Sequence, residues 1–267
     1  VIGHWGAGID LFGPGTNGNL IQNNLFCIRP GGATATCSTG VDANFGPKGN
    51  VIGGDGFERN VVGPTSLQGI ELSHGWNPNV PYGTDPATTY QINDNRITGN
   101  WVGFQADGSY DPAYRSGQNS SPSDNAQGIN CYDGSNDNII QGNHVASVYD
   151  GIQVQTKNAN RNIVRGNVIG QSHLGENAPL TGWGIVVRWG TKNDIISNNL
   201  IRNARKGGIG LINTNNTGGA ISVAYNIRIS RNIVQVSDGI GIDLFGSNGP
   251  ETNDAGDTDK GANTLLN

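Results

Sequence analysis

The chain has 267 residues, of which 43 are Gly and none is Met, with 34% hydrophobic residues and a net charge of −5. So little apolar content with so much Gly argues against a helical bundle or one large globular core, and no apolar run approaches the roughly 18 residues that a membrane helix needs. The overall acidity and the absence of a phosphate-binding Gly motif between strand and helix speak against nucleic-acid and nucleotide partners.

Residues 1–20 carry no charged-then-apolar leader. A repeat is already under way at Val1 without an initiating Met, so a mature or excised piece of a longer chain is expected. The repeat has two parts. Gly followed by Ile or Val recurs at Gly8, Gly40, Gly69, Gly128, Gly151, Gly184, Gly208 and Gly239. Between most of these marks lies Asn-x-Ile-x-x-Asn-x-Ile, seen from Asn19 to Phe26, Asn138 to Val145, Asn162 to Ile169, Asp194 to Ile201 and Asn226 to Val234. Short apolar alternations joined at a recurrent Asn describe a stacked coil. Each Asn at a bend (Asn24, Asn143, Asn167, Asn199 and Asn232, with Asn60 and Asn95 in less regular turns) is expected to take the left-handed conformation and to bond the Asn one coil away.

Spacings of 23 residues (Gly128 to Gly151) and 24 (Gly184 to Gly208) fit three strands and three turns per coil. The fold expected is all-β, a right-handed single-stranded parallel β-helix of about eight coils, occupying 1–267 as one domain. Long insertions fall at 73–89 and 104–126, and an acidic segment, 246–267, closes the chain. Early in the chain, Cys27 and Cys37 bracket a turn-rich loop and either form a disulfide staple or stay as thiols, while Cys131 falls at an inward position. Between Lys157 and Arg231 there are ten basic residues and two acidic ones, leaving six basic and nineteen acidic elsewhere, an asymmetry suited to an anionic polymer or merely to solvation.

The segments Asn50-Val-Ile-Gly-Gly, Ile97-Thr-Gly-Asn-Trp-Val-Gly-Phe-Gln-Ala-Asp-Gly-Ser109 and Gly241-Ile-Asp-Leu, with Asn253-Asp-Ala-Gly-Asp-Thr-Asp-Lys-Gly-Ala-Asn263, resemble the right-handed parallel β-helix repeats of large secreted bacterial proteins, the pectate-lyase-like superfold. The resemblance runs over nearly the whole chain. It implies a secreted or cell-surface protein. It leaves activity open, because that superfold hosts pectin and alginate lyases, polygalacturonase-type glycosidases, epimerases, phage tailspikes and adhesins.

Pleat parity on the Gly-Ile strand sends Ile inward and the next residue outward. One outward row then reads Asp10, Asp42, Glu71, Asn130, Gln153, Val186, Gly210, Gly241. The other reads Phe12, Asn44, Ser73, Tyr132, Gln155, Arg188, Ile212, Asp243. With coils about 4.8 Å apart, Asp42 and Glu71 become neighbouring carboxyls on an open sheet. Glu71 with Asp42 or Asp133 is the pair suited to acid/base cleavage of a glycosidic bond, whereas a lyase needs a base such as Lys157, Arg188 or His74. Asn130, Tyr132, Gln153, Gln155 and Trp189 line the candidate stripe, and Trp76, Tyr110 and Tyr114 are placed to stack on sugar rings. The scattered His residues lack zinc spacing. Asp254, Asp257 and Asp259 offer hard oxygen ligands to Ca²⁺, or else form a solvated turn. These features suggest an extracellular β-helix that recognises, and in one reading cleaves, an acidic polysaccharide. The alternative is a non-catalytic structural or adhesive segment of a larger surface protein, open to head-to-tail self-association or to attached domains.

Overall fold

A computed structural model describes residues 6–29, 31, 37–73, 90–113, 126–146, 149–156, 158–212, 224–235 and 238–244. The chain winds as a parallel β-helix. An eight-stranded sheet and two seven-stranded sheets run through it, each with its strands in sequential order, joined by a two-stranded pair formed by Ile92–Asn93 and Ser135–Asn136. The eight-stranded sheet carries the Gly-Ile repeat, and its rungs run from Ala7–Phe12 to Ile240–Asp243. Among the described residues no helix is long and apolar enough to cross a membrane.

Register explains the core. Ile9, Val41, Ile70, Ile129, Ile152, Ile185, Ile209 and Ile242 stand directly over one another, and Leu11, Ala43, Leu72, Cys131, Val154, Val187 and Leu211 form a second stack. These stacks meet inward residues of the other two sheets, such as Ile52, Ile97 and Ile140 opposite Val62, Val102 and Val145, in one continuous apolar interior. Each coil buries its face only against its neighbours, so sequence alternation of period two becomes a column of side chains. Cys131 is part of that column, and burial pushes its thiol far up.

The repeated Gly has a steric cause. Gly128 does not sit at positive φ; a Cβ there would overlap the Val145 side chain of the third sheet, the seven-stranded one that holds Val62, Val102 and Val145, and stand 2.8 Å from the Gly151 carbonyl. The same closeness holds at Gly40, Gly69, Gly151, Gly184 and Gly208, where the coil turns its corner. The last member of this row is Gly241, whose carbonyl lies against Gly208, rather than Gly239. That shift of two places Asp243 opposite Gly210, so Asp243 belongs to the first outward row and not the second.

Two Asn ladders run along the helix. One comprises Asn19, Asn50, Asn95, Asn138, Asn162 and Asp194, and the other Asn24, Asn60, Asn100, Asn143, Asn167, Asn199 and Asn232. In the second, Asn143 donates its backbone N–H and its amide to Asn167 Oδ1, each at 3.0 Å, and sends its amide also to Ile97 O at 2.9 Å. At every ladder position but Asn60, which follows an extended Arg59 (φ −64°), the left-handed residue of the bend is the one before the ladder residue, for example Asp137 (φ 58°), Gly142 (φ 67°) or Asn198 (φ 56°). The ladder Asn therefore serves as the hydrogen-bonding rung, and its predecessor makes the bend.

Cys27 and Cys37 form the disulfide that staples the turn-rich loop between them, with Cα atoms 5.5 Å apart. On the outer face of the third sheet, Ile28, Val61, Trp101, Phe104, Ala146 and Ala178 make a satellite cluster. Two connections lie over it, tied where Tyr110 N–H donates to Glu176 Oε2 at 2.8 Å.

Candidate active site

The outer face of the Gly-Ile sheet gathers three carboxyls on successive coils. Asp10 pairs in register with Asp42, and Asp42 with Glu71, so their Cα atoms are one strand spacing apart, about 4.8 Å. Asp10 is exposed, while Asp42 and Glu71 are half-buried. Burial, reinforced by the charge of Asp42, pushes Glu71 up to about 7, against the hydrogen bond from Asn130. Asp42 is pushed up to about 6, chiefly by burial with a contribution from Asp10, against hydrogen bonds from Asn44 and the Ala43 N–H. Its Oδ1 is buried without a hydrogen-bond partner. Near neutrality the pair therefore holds a proton that ordinary carboxylates would have lost.

Beyond Glu71 the row continues as a directed run of amides. Gln153 donates to Gln155, Gln155 Nε2 to Asn130 Oδ1 at 3.3 Å, and Asn130 Nδ2 to Glu71 Oε1 at 3.1 Å. Gln155 and Asn130 each accept from one neighbour and donate to the next, while Gln153 only donates, its Oε1 buried without a partner, and the chain of donors ends on the carboxyl. Asn130, Gln153 and Gln155 are buried, which corrects the expectation of an open sheet; within the carboxyl row Asp10 is the exposed member.

The remaining candidates separate from this centre. Asp133 lies past the strand end, accepting from Thr156 Oγ1 at 3.1 Å and Asn158 Nδ2 at 3.0 Å. Arg188 stands over Gln155 but turns its guanidinium to Asp150, 2.9 Å away, in a pair with both side chains buried. Asp150 also accepts from the Trp183 N–H at 2.7 Å. Tyr132 and Trp189 are half-buried at the ends of their strands. Tyr110 packs edge-on against Phe104, 6.4 Å between centroids, on the third sheet's outer face and so away from the carboxyl row. His74, Trp76, Tyr114, Lys157, Asp254, Asp257 and Asp259 lie outside the described residues.

Two contributors were not singled out from sequence. Asp10 stood in the outward row with nothing to mark it from a solvated residue. Asp150, the partner of Arg188, precedes the repeat Gly, a position that pleat parity alone does not assign to either face. Compared with known proteins, the chain matches no family model and no curated protein.

Proposed function

We propose that this chain is an extracellular polysaccharide-cleaving β-helix of the pectate-lyase-like type, with Glu71 as general acid and Asp42 as the companion carboxylate. The observation that carries this reading is the in-register Asp42–Glu71 pair, displaced upward to about 6 and about 7. Glycoside hydrolysis needs one carboxyl that still holds a proton to give to the leaving oxygen and a second that is ionised to assist at the anomeric carbon. Between those two values the pair meets both requirements.

Hydrolysis is favoured over elimination. Of the three candidate lyase bases, Arg188 is engaged by Asp150 and so is not free to neutralise a uronate for proton abstraction, while His74 and Lys157 lie outside the described residues. Carboxyls on adjacent coils also match the roughly 5 Å separation of retaining enzymes better than the wider gap of inverting ones. An acidic polysaccharide remains the first substrate class to try. The excess of basic residues between Lys157 and Arg231 supports it, and the protonated share of the carboxyl row lowers repulsion of a uronate near neutrality. The disulfide supports a secreted or cell-surface location, since such bonds persist in oxidising compartments.

The test is incubation with pectate, alginate and glycosaminoglycan chains while following both reducing ends and the absorbance of unsaturated products. Reducing ends without that absorbance are expected, with a rate maximum between about pH 6 and 7. Activity should fall on the acid side as Asp42 takes a proton and on the alkaline side as Glu71 loses one. Glu71→Gln should lower kcat by about 10²–10⁴-fold. If neither signal appears on any substrate, the non-catalytic structural or adhesive reading replaces this one.

A further inference from the structure

An aromatic row runs beside the carboxyl row. Phe12 is two residues after Asp10 on the strand Ala7–Phe12 and so shares its outward face, yet it is 58% exposed. Its ring lies 4.9 Å from that of Phe45, tilted by 46°, and Phe45 lies 5.9 Å from Tyr90, edge to face. The three rings thus rise over the same three coils as Asp10, Asp42 and Glu71. Phe45 is buried at φ 60°, a conformation unfavourable for a bulky residue, and its backbone turn holds the ring against Phe12. Asn44 stands in register between Phe12 and Ser73, adding a polar edge to the apolar face.

A large apolar ring left in water costs free energy unless something covers it. An open aromatic face bordered by carboxyl and amide groups suits a pyranose ring: its C–H face lies on the aromatic ring and its hydroxyls reach the polar edge. A protein partner would find the surroundings of Phe12 dominated by acidic and amide groups, whereas a glycan laid along the carboxyl row must pass over it.

We propose that Phe12, backed by Phe45 and Tyr90, is a sugar-stacking subsite at the outer end of the site. It takes a pyranose ring of the polysaccharide about one or two residues from the bond addressed by Asp42 and Glu71. Those distances follow from the coil spacing: Phe12 is one coil from Asp42 and two from Glu71, about 5 and 10 Å along the axis. The inference rests on reading the carboxyl row as a glycan-cleaving site.

Calorimetric titration of the whole chain with size-graded oligogalacturonides and oligoalginates tests it, using the Glu71→Gln background to prevent turnover. Adding Phe12→Ala should weaken binding of long oligomers about tenfold, the size of one good aromatic contact. The loss should disappear for oligomers too short to reach coil one, and Phe12→Trp should retain affinity. Long oligomers bound equally well with and without Phe12→Ala would overturn the subsite alone, provided Glu71→Gln has abolished cleavage. Full turnover by Glu71→Gln, or no binding by any oligomer, would overturn the glycan-cleaving reading and the subsite with it.

Discussion

Asp194 is the one acidic rung in the two Asn ladders. Its Oδ1 accepts from the Asn162 N–H at 2.8 Å, as an Asn would, but its Oδ2 is buried without a partner. At the equivalent place the Asn rungs beyond the first coil carry an amide that donates to a backbone carbonyl of the previous coil, as Asn138 does to Ile92 and Asn162 to Ser135, each at 2.9 Å. A buried carboxyl oxygen with no donor of its own favours the protonated form, and burial pushes Asp194 up to about 7, against the hydrogen bond from the Asn162 N–H. In the unfolded chain the same carboxyl titrates near its ordinary 3.8. Unfolding between those values releases a proton, so this contribution to stability is intact below about pH 4 and lost as the pH rises through about 7. Glu71 and Asp42, raised in the same direction, add to that slope. Asp194→Asn supplies the missing donor and removes the charge. It should stabilise the fold by about 2 kcal/mol at pH 8 and by almost nothing at pH 4, read from urea midpoints at both values. A variant no more stable than the parent at pH 8 would mean that Asp194 is ionised and satisfied there.

At the scale of the strand and its turns, the Gly-Ile element was legible because inward Ile and Val recur at a fixed place, and register confirms every rung but the last. Its Gly was legible as a mark and not as a cause. Composition suggests turns at positive φ, which is true of Gly142, but the repeat Gly is demanded by the third-sheet side chain across the corner, a contact between residues some 20 positions apart in the chain. The two kinds of Gly therefore respond differently to a methyl group. Gly128→Ala forces a Cβ into Val145 and against the Gly151 carbonyl, with backbone on one side that cannot yield cheaply, and should cost about 2–3 kcal/mol. At Gly241 a Cβ meets nothing within 4 Å, and φ is not positive there, so Gly241→Ala should be neutral or slightly stabilising. Equal urea midpoints for the two variants would refute the steric account. The site shows the same partial legibility. Parity placed Asp42 beside Glu71, but whether an outward polar side chain meets water or another amide, as in the run from Gln153 to Asn130, is not written in a two-residue period.

The molecule as a whole is a stack in which each coil is held by the coil on either side, so the cost of one change should depend on where along the axis it falls. The second Asn ladder permits a controlled comparison, since the same residue makes the same bonds at different heights. Asn143, fully buried in the fourth coil, accepts from both the backbone N–H and the amide of Asn100 and donates to Asn167 and Ile97 O. Asn143→Ala strands polar groups on both neighbouring coils where no water reaches them, and should cost about 3–5 kcal/mol. Asn232 accepts the same two bonds from Asn199 and donates its amide to Ile196 O, but it is half-buried on the last described rung of the ladder. Water can replace what is lost there, so Asn232→Ala should cost about 1 kcal/mol. Hydrogen exchange distinguishes the two by location as well as size. Asn143→Ala should lower protection in coils on both sides, whereas Asn232→Ala should free only the amides of the last coils and leave those around Glu71 unchanged. If both substitutions lowered protection uniformly from end to end, the chain would be unfolding as one indivisible unit, and the nearest-neighbour account of its stability would fail.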